Sequence, residues 1–154
     1  MEGVVIDTNV FVAAGFNSKS AAARVFEGVR EGRFRLIWNE PTRRETEIIV
    51  RRIPRLDWAS IADLFQPEAE FAGPVDLEAF TAISDPDDRK FAALSAAAKR
   101  PLVTNDNYLM ADRSIIGIDA HSRAEPHISS VVNKIDRRIL RLKIPHCGVR
   151  RQKD

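Results

Sequence analysis

Apolar and polar residues are arranged along the chain in two different ways. Short runs of mainly apolar, often β-branched residues are typical of buried strands, and they occupy residues 3–6, 34–38, 101–104 and 114–118. Longer stretches in which apolar residues recur every three or four positions predict helices, and they occupy residues 18–31, 39–52, 57–65, 85–99 and 126–142. Because strand and helix signals alternate, we predict an α/β fold with a mainly parallel sheet.

Several predicted helices have clear end signals. Asn39 suits an N-cap, and Pro41 suits the first turn that follows it. Gly32 and Pro54 are expected to end two helices, since neither residue continues a helix well. The helix over 85–99 starts with Asp-Pro and two further acidic residues, which the positive end of the helix dipole favours.

The composition is that of one ordinary globular domain. The chain has 154 residues, 44% of them apolar and 30% charged, which excludes a disordered chain. Its one cysteine, Cys147, cannot form an intrachain disulfide, so we expect a cytoplasmic protein. The apolar stretch over 4–16 contains Asp7 and Asn9 and has no basic leader. We therefore expect neither a signal peptide nor a membrane span.

Charge is unevenly distributed, although the net charge is only +2. Residues 123–154 carry nine basic and three acidic residues, a net of +6, whereas residues 1–122 have a net charge of −4. We interpret 123–154 as a basic, helical C-terminal appendage packed on the domain formed by 1–122. A basic region of this kind suits either a contact with a polyanion or a solvated helix face.

Acidic residues occur where a binding crevice is expected. Asp7 directly follows the first predicted strand, and Asp106 follows the third. Open α/β sheets bind ligands beyond the carboxyl ends of their strands, so both acids point to that crevice. Glu45 lies two turns into the second predicted helix, and Asp88 lies in the first turn of the fourth.

Four carboxylates in one crevice repel one another unless a cation neutralises them. Mg²⁺ and Mn²⁺ prefer oxygen ligands, and such an ion activates water and stabilises a departing oxygen, which favours phosphodiester hydrolysis. Each acid also has an ordinary structural explanation. Asp7 suits a helix cap, Glu45 a helix surface, Asp88 a helix dipole and Asp106 a turn.

The segments that contain these acids resemble the four motifs of the PIN-domain family. They are Val5-Ile6-Asp7-Thr8-Asn9-Val10, the segment over 39–52 with Glu45, Asp85-Pro86-Asp87-Asp88-Arg89-Lys90-Phe91, and Val103-Thr104-Asn105-Asp106 with Leu109. They occur in the family's order within residues 4–110. The pattern is most similar to the VapC-like toxins of toxin–antitoxin pairs.

The resemblance implies a three-layer α/β fold and a Mg²⁺- or Mn²⁺-dependent endoribonuclease. By motif, Asp7, Glu45, Asp88 and Asp106 would be both the catalytic residues and the metal ligands. Asp7 and Asp106 would hold the ion most directly. Glu45 and Asp88 would complete the ligand set or orient the attacking water.

Short polar residues beside these acids would support them by hydrogen bonds; they are Thr8, Asn9 and Asn105. Asp87 is the rival of Asp88 for the third motif. Asp88 is preferred because it lies three residues before Phe91, the expected core anchor of its helix. Asp85 fits a ligand role less well.

Basic residues near the acids are candidates for contacts with RNA phosphates, because RNA affinity is largely electrostatic. They are Arg43, Arg44, Arg51, Arg89 and Lys90 in the body of the chain, and Lys134, Arg137, Arg138 and Arg141 in the C-terminal region. A solvated helix face explains the arginines equally well.

The resemblance also implies protein partners. A VapC-like toxin is expected to pair with a small antitoxin protein and to form a homodimer. After about residue 112, however, the chain departs from the short closing strand expected of the family. The basic C-terminal region is therefore open to three roles: an antitoxin contact, added RNA affinity, or packing on the body.

Two other functions fit parts of the pattern. A haloacid-dehalogenase-like phosphatase also has an acid after its first strand, but it needs a second acid two residues later, where this chain has Asn9. A catalytically inactive PIN-like module that binds RNA or a protein would keep the fold without the chemistry. The presence of all four acids favours the enzyme.

Overall fold

The computed structural model describes residues 3–19, 21–83 and 85–104. Its main elements in chain order are β1 (Gly3–Ile6), α1 (Thr8–Phe16), α2 (Ala21–Arg30), β2 (Arg35–Leu36), α3 (Glu40–Arg52), α4 (Pro86–Ala98) and β3 (Leu102–Val103). Short 3₁₀ helices between α3 and α4 lie at Trp58–Ser60, Ala62–Leu64, Pro67–Ala69 and Glu78–Phe80. The predicted strand over 114–118, the predicted helix over 126–142 and the whole appendage over 123–154 lie outside the described residues.

The strands described here form a parallel sheet in the order β2-β1-β3, with β1 in the centre. Gly3 pairs with Arg35 on one side of β1, and Ile6 pairs with Val103 on the other. Val4 is completely buried, as expected of a central parallel strand that is covered on both faces. The α/β fold with a parallel sheet is confirmed.

Helices cover both faces of this sheet. Successive side chains of a strand point to opposite faces, so Val4 and Ile6 of β1 share a core with Phe11 of α1 and residues of α2. Val5 points the other way and packs against Phe91 of α4. The result is the three-layer arrangement of helix, sheet and helix that was expected.

The starts of α3 and α4 follow the predicted local chemistry. The side chain of Asn39 accepts a hydrogen bond from the backbone N–H of Thr42 at 3.2 Å, which caps α3. The carboxylate of Asp85 accepts one from the backbone N–H of Asp87 at 2.9 Å and caps α4. Both predicted helices are therefore confirmed, with boundaries within one or two residues.

The helix α4 ends at Ala98 and is capped by Lys99, whose φ of 52° is in the left-handed region. Its backbone N–H donates to the carbonyls of Ser95 and Ala96, which would otherwise lack helical partners. A left-handed residue turns the chain sharply, so α4 is followed within a few residues by β3. This explains how the short segment over 99–101 connects the helix to the sheet.

Two parts of the sequence-based prediction are wrong. The predicted helix over 57–65 is replaced by two 3₁₀ helices. Trp58 in the first, Ile61 between them and Leu64 in the second are buried. A spacing of three suits a 3₁₀ helix, which has three residues per turn. The helix α1 was not predicted, because apolar residues continue from β1 through Phe16 and mask the change from strand to helix.

The predicted strand over 34–38 is shorter than expected. Regular pairing covers Arg35–Leu36, and Trp38 forms a separate parallel bridge with Glu70. None of the described helices is long and apolar enough to cross a membrane.

Candidate active site

The ends of two neighbouring parallel strands meet at the carboxylate of Asp7. This residue directly follows β1 and is only 2% exposed. Its Oδ2 accepts a hydrogen bond from the hydroxyl of Thr104 at 2.8 Å, and its backbone N–H donates to the carbonyl of Val103 at 3.0 Å. Thr104 follows β3 directly. Asn105 and Asp106, the next predicted site residues, lie outside the described part of the chain.

Glu45 lies on α3 and is joined to α4 by an ion pair. The Nζ of Lys90 lies 3.2 Å from Oε2 of Glu45 and 3.4 Å from Oδ1 of Asp87. The side chains of Glu45 and Lys90 are 18% and 21% exposed, so this pair is shielded from solvent more than a typical surface salt bridge. Glu45 therefore has a compensating cation within the protein itself.

The first turn of α4 distinguishes its acidic residues. The side chain of Asp87 is 67% exposed and contacts Lys90, whereas Asp88 is partly buried and donates its backbone N–H to the carbonyl of Asp85 at 3.2 Å. The carboxylate of Asp85 accepts the hydrogen bond that caps α4. Asp88 is thus less exposed than Asp87, and its assignment as the third site residue stays a prediction.

Hydroxyl groups connect the start of α1 to the middle of α3. The Oγ1 atoms of Thr8 and Thr46 lie 3.0 Å apart, and both residues are buried. Thr46 also donates to the carbonyl of Thr42 at 3.1 Å. Thr8 was expected to have a supporting role, whereas Asn9 is exposed.

Sequence reasoning assigned no role to Thr46 or Thr104. Thr104 was part of a quoted motif, and its position directly after a predicted strand was an available signal. Thr46 had a weaker signal: it lies four residues after Thr42 and four before Val50, so the three share one face of the helix. Their partners are 38 and 97 residues away in sequence, and no local pattern identifies them.

A divalent ion that binds oxygen fits the Asp7 carboxylate. The residue supplies a hard anionic ligand in a position withdrawn from water. Within residues 3–19, 21–83 and 85–104, no three His, Cys, Asp or Glu side chains are grouped so that they could hold a metal. Within the described residues, Asp7, Glu45 and Asp88 therefore do not form a metal site by themselves, and Asp106 lies outside those residues.

Three of the four arginines that were proposed for RNA contact and lie within the described residues are engaged within the chain. Arg43 forms ion pairs with Glu40 and Glu47, both at 3.1 Å, and Arg51 pairs with Glu47 at 2.8 Å. The hydrogen bond from Arg43 lowers the pKa of Glu40 and raises the pKa of Arg43 itself. These contacts support the helix-face explanation for Arg43 and Arg51.

The other basic candidates differ from one another. Arg89 donates from Nε to the carbonyl of Ile83 at 2.7 Å and so fastens the preceding loop to α4. Arg44 is exposed on α3, next to Glu45. The candidates in the C-terminal region, Lys134, Arg137, Arg138 and Arg141, lie outside the described residues.

Comparison with known proteins identifies the family. A family model described as PIN domain matches residues 3–108, more than half of the chain. No curated protein and no solved structure matches the chain. PIN domains are generally nucleases that act on RNA, and they typically use divalent metal ions. With its three-layer fold and the buried Asp7 after its first strand, the chain belongs to the PIN-domain family.

Proposed function

We propose that the protein is a Mg²⁺- or Mn²⁺-dependent endoribonuclease that hydrolyses RNA phosphodiester bonds. The observation that carries the proposal is the buried carboxylate of Asp7, at the meeting point of β1 and β3 within the region matched by the PIN-domain model. Burying an ionised carboxylate is unfavourable for folding unless the charge is paired, hydrogen-bonded or bound to a metal ion. In a nuclease of this family, its use is to hold a metal ion.

The residues that would hold the ion are those of the four motifs, Asp7, Glu45, Asp88 and Asp106. A bound divalent ion supplies activation of water and stabilisation of negative charge during phosphodiester hydrolysis. The chain's own groups prepare the site. Thr104 orients one oxygen of Asp7. The ion pair between Lys90 and Glu45 joins α4, which carries Asp88, to α3, which carries Glu45.

Lys90 contributes positive charge beside Glu45. An RNA phosphate that approaches Glu45 would meet this ammonium group, which is held by two carboxylates and so needs little further ordering. The exposed Arg44 is placed ahead of Lys90, Arg43 and Arg51, because the charges of those three are already paired with carboxylates.

The biological setting belongs to the same proposal. The resemblance of the four motifs to VapC-like toxins supports a toxin of a toxin–antitoxin pair, with a cognate antitoxin and a homodimer as its protein partners. The single cysteine supports a cytoplasmic location, because a reducing compartment requires no disulfides. The basic residues over 123–154 would add affinity for RNA.

The ion pair between Glu45 and Lys90 favours one alternative function. A predicted metal ligand that already has a cation suits a catalytically inactive PIN-like module, which binds RNA or a protein without cleaving it. Such a module needs no divalent ion for binding. The dependence of cleavage on metal and on Asp7 therefore separates the two functions.

The test is cleavage of a mixed RNA pool by the purified full chain in Mg²⁺, Mn²⁺ or EDTA. Asp7→Asn is compared with Asp85→Asn, a matched control in which asparagine can still cap α4. Metal-dependent cleavage by the wild type and by Asp85→Asn, but not by Asp7→Asn, would support the ribonuclease. RNA binding without cleavage in any condition would support the binding module, and cleavage by Asp7→Asn would contradict the site assignment.

A further inference from the structure

The hydrogen bond between Thr8 and Thr46 joins two helices at a buried point. The two Oγ1 atoms are 3.0 Å apart, and the residues are 6% and 1% exposed. Buried hydroxyl groups are costly when they lack partners. Each residue therefore constrains the position of the other, although 38 positions separate them in sequence.

The direction of this hydrogen bond follows from the number of protons. A threonine hydroxyl has one proton, and Thr46 donates it to the carbonyl of Thr42 at 3.1 Å. The hydroxyl of Thr8 is therefore the donor to Thr46. Thr42 is in turn bound to Asn39, the N-cap of α3, through its backbone N–H and its hydroxyl. The chain of hydrogen bonds thus runs from the start of α1 to the start of α3.

Each member of the threonine pair is the immediate neighbour of a predicted site residue. Thr8 follows Asp7, and Thr46 follows Glu45. Consecutive Cα atoms are about 3.8 Å apart across a planar peptide bond, so fixing one residue restricts its neighbour. A hydrogen bond between Thr8 and Thr46 therefore limits how far the backbones of Asp7 and Glu45 can move apart.

We propose that Thr46 is a positioning residue that sets the location of Glu45 relative to Asp7. This inference depends on the proposed function, because it assumes that both acids serve one metal site. Thr46 itself does not touch substrate or metal in this mechanism. It acts through the hydroxyl of Thr8, and its role needs the hydroxyl group rather than the volume of the side chain.

The alternative to positioning is a contribution to packing alone. Thr46 lies on the buried side of α3 with Thr42 and Val50, where any side chain of similar size helps the helix to dock. A packing role would change the melting temperature but would leave the affinity for metal unchanged in a folded variant. Metal affinity therefore distinguishes positioning from packing.

The test measures Mn²⁺ binding to the full chain by calorimetry, with thermal unfolding of the same samples. Thr46→Val keeps the shape of the side chain and removes the hydroxyl, whereas Thr46→Ser keeps the hydroxyl. We expect Thr46→Val to weaken Mn²⁺ binding by about tenfold, as is usual when a group that orients a ligand is lost. Thr46→Ser should stay within about threefold of the wild type, because its hydrogen bonds are retained.

Two further variants make the comparison independent of stability. Val25→Ala removes buried volume from α2 and is the control for a general loss of stability. Thr8→Val removes the same hydrogen bond from the other side and replaces Thr46→Val if that variant does not fold. The double variant of Thr8 and Thr46 should lose no more affinity than either single one, because the two residues share one interaction.

The outcomes separate this inference from the proposed function. Wild-type protein that binds Mn²⁺ only when Asp7 is intact, together with weakened binding in Thr46→Val, supports both. Equal Mn²⁺ affinity of the wild type and Thr46→Val, or an equal loss in Val25→Ala, overturns the positioning role alone. A wild type without Asp7-dependent Mn²⁺ binding overturns the proposed function, and the positioning role with it.

Discussion

Asp7→Asn replaces one oxygen of a buried carboxylate by an amide nitrogen and removes a negative charge. The residue is 2% exposed, so the charge has lost nearly all of its hydration. In real proteins this loss costs several kcal/mol per ion. In the absence of metal, the surrounding groups offset part of that cost.

Two described features offset the cost. The hydroxyl of Thr104 donates to Oδ2 at 2.8 Å, and a hydrogen bond to a charged group contributes about 1.5–3 kcal/mol. Asp7 is also the N-cap residue of α1, where a negative charge gains up to about 2 kcal/mol in a partly buried position. Asparagine retains an oxygen that can accept from Thr104, and the side chain of Asp7 makes no cap hydrogen bond to α1 that the substitution would remove.

The two sides nearly cancel. We therefore expect the free energy of unfolding of Asp7→Asn in EDTA to lie within about 1.5 kcal/mol of the wild type. Manganese should separate the two proteins. At about 100 times its Kd, an ion that binds the folded state adds about 2.7 kcal/mol to the wild type, and this raises Tm by about 5–11 °C for a domain of this size.

The assay is urea and thermal unfolding, followed by circular dichroism, in EDTA and in a series of Mn²⁺ concentrations. At the Mn²⁺ concentration that saturates the wild type, the free energy of unfolding of Asp7→Asn should rise by less than about 1 kcal/mol. Asp85→Asn is the matched control and should gain as much as the wild type. Full stabilisation of Asp7→Asn by Mn²⁺ would refute the metal role of Asp7. A variant that is unfolded in EDTA would instead show that the carboxylate is needed for folding.

Three further predictions concern α4 and the surface. In single-turnover RNA cleavage, Asp88→Asn should lower the cleavage rate by about tenfold or more. Asp87→Asn, which changes a side chain that is 67% exposed, should keep the rate within about threefold of the wild type. Equal losses of rate would contradict the choice of Asp88. Lys99→Gly should raise the free energy of unfolding in urea by about 1 kcal/mol, because the left-handed φ of 52° is unfavourable for a residue with a Cβ; a decrease would mean that the lysine side chain itself stabilises the turn. The hydrogen bond from Arg30 lowers the pKa of Asp63, so this carboxylate adds stability at neutral pH that is lost as the pH falls below the usual aspartate range. Asp63→Asn should therefore be less stable than the wild type by under about 1 kcal/mol at neutral pH, because the carboxylate is 57% exposed. In urea unfolding, the free energies of the two proteins should converge in strong acid. A difference that stays constant with pH would contradict the role of the Arg30 hydrogen bond.

Local sequence was sufficient wherever a structural feature depends on neighbours in the chain. Asn39 and Asp85 cap helices through backbone N–H groups two or three residues away, and both caps were predictable. The strand β1 was predictable because a central parallel strand is apolar on both faces. The order of acids along these elements was also enough to indicate the PIN-domain family.

Local sequence was insufficient where packing decides the conformation. The segment over 57–65 has residues suited to a helix, but burial of Trp58, Ile61 and Leu64 at a spacing of three selects 3₁₀ geometry. The helix α1 is apolar on several sides because it lies between the sheet and other helices. A pattern read along one segment does not report such surroundings.

The sequence by itself therefore determined the class of fold, the family and the identities of the candidate acids, because these depend on residue type, order and short-range spacing. Only the tertiary structure decided which groups accompany those acids. Thr104 reaches Asp7 across 97 positions, Lys90 reaches Glu45 across 45, and Thr46 reaches Thr8 across 38. Contacts between such distant residues form only when strands and helices pack together. A single contact does not offset the entropy lost on closing a long loop, whereas the many contacts of the folded chain do so together.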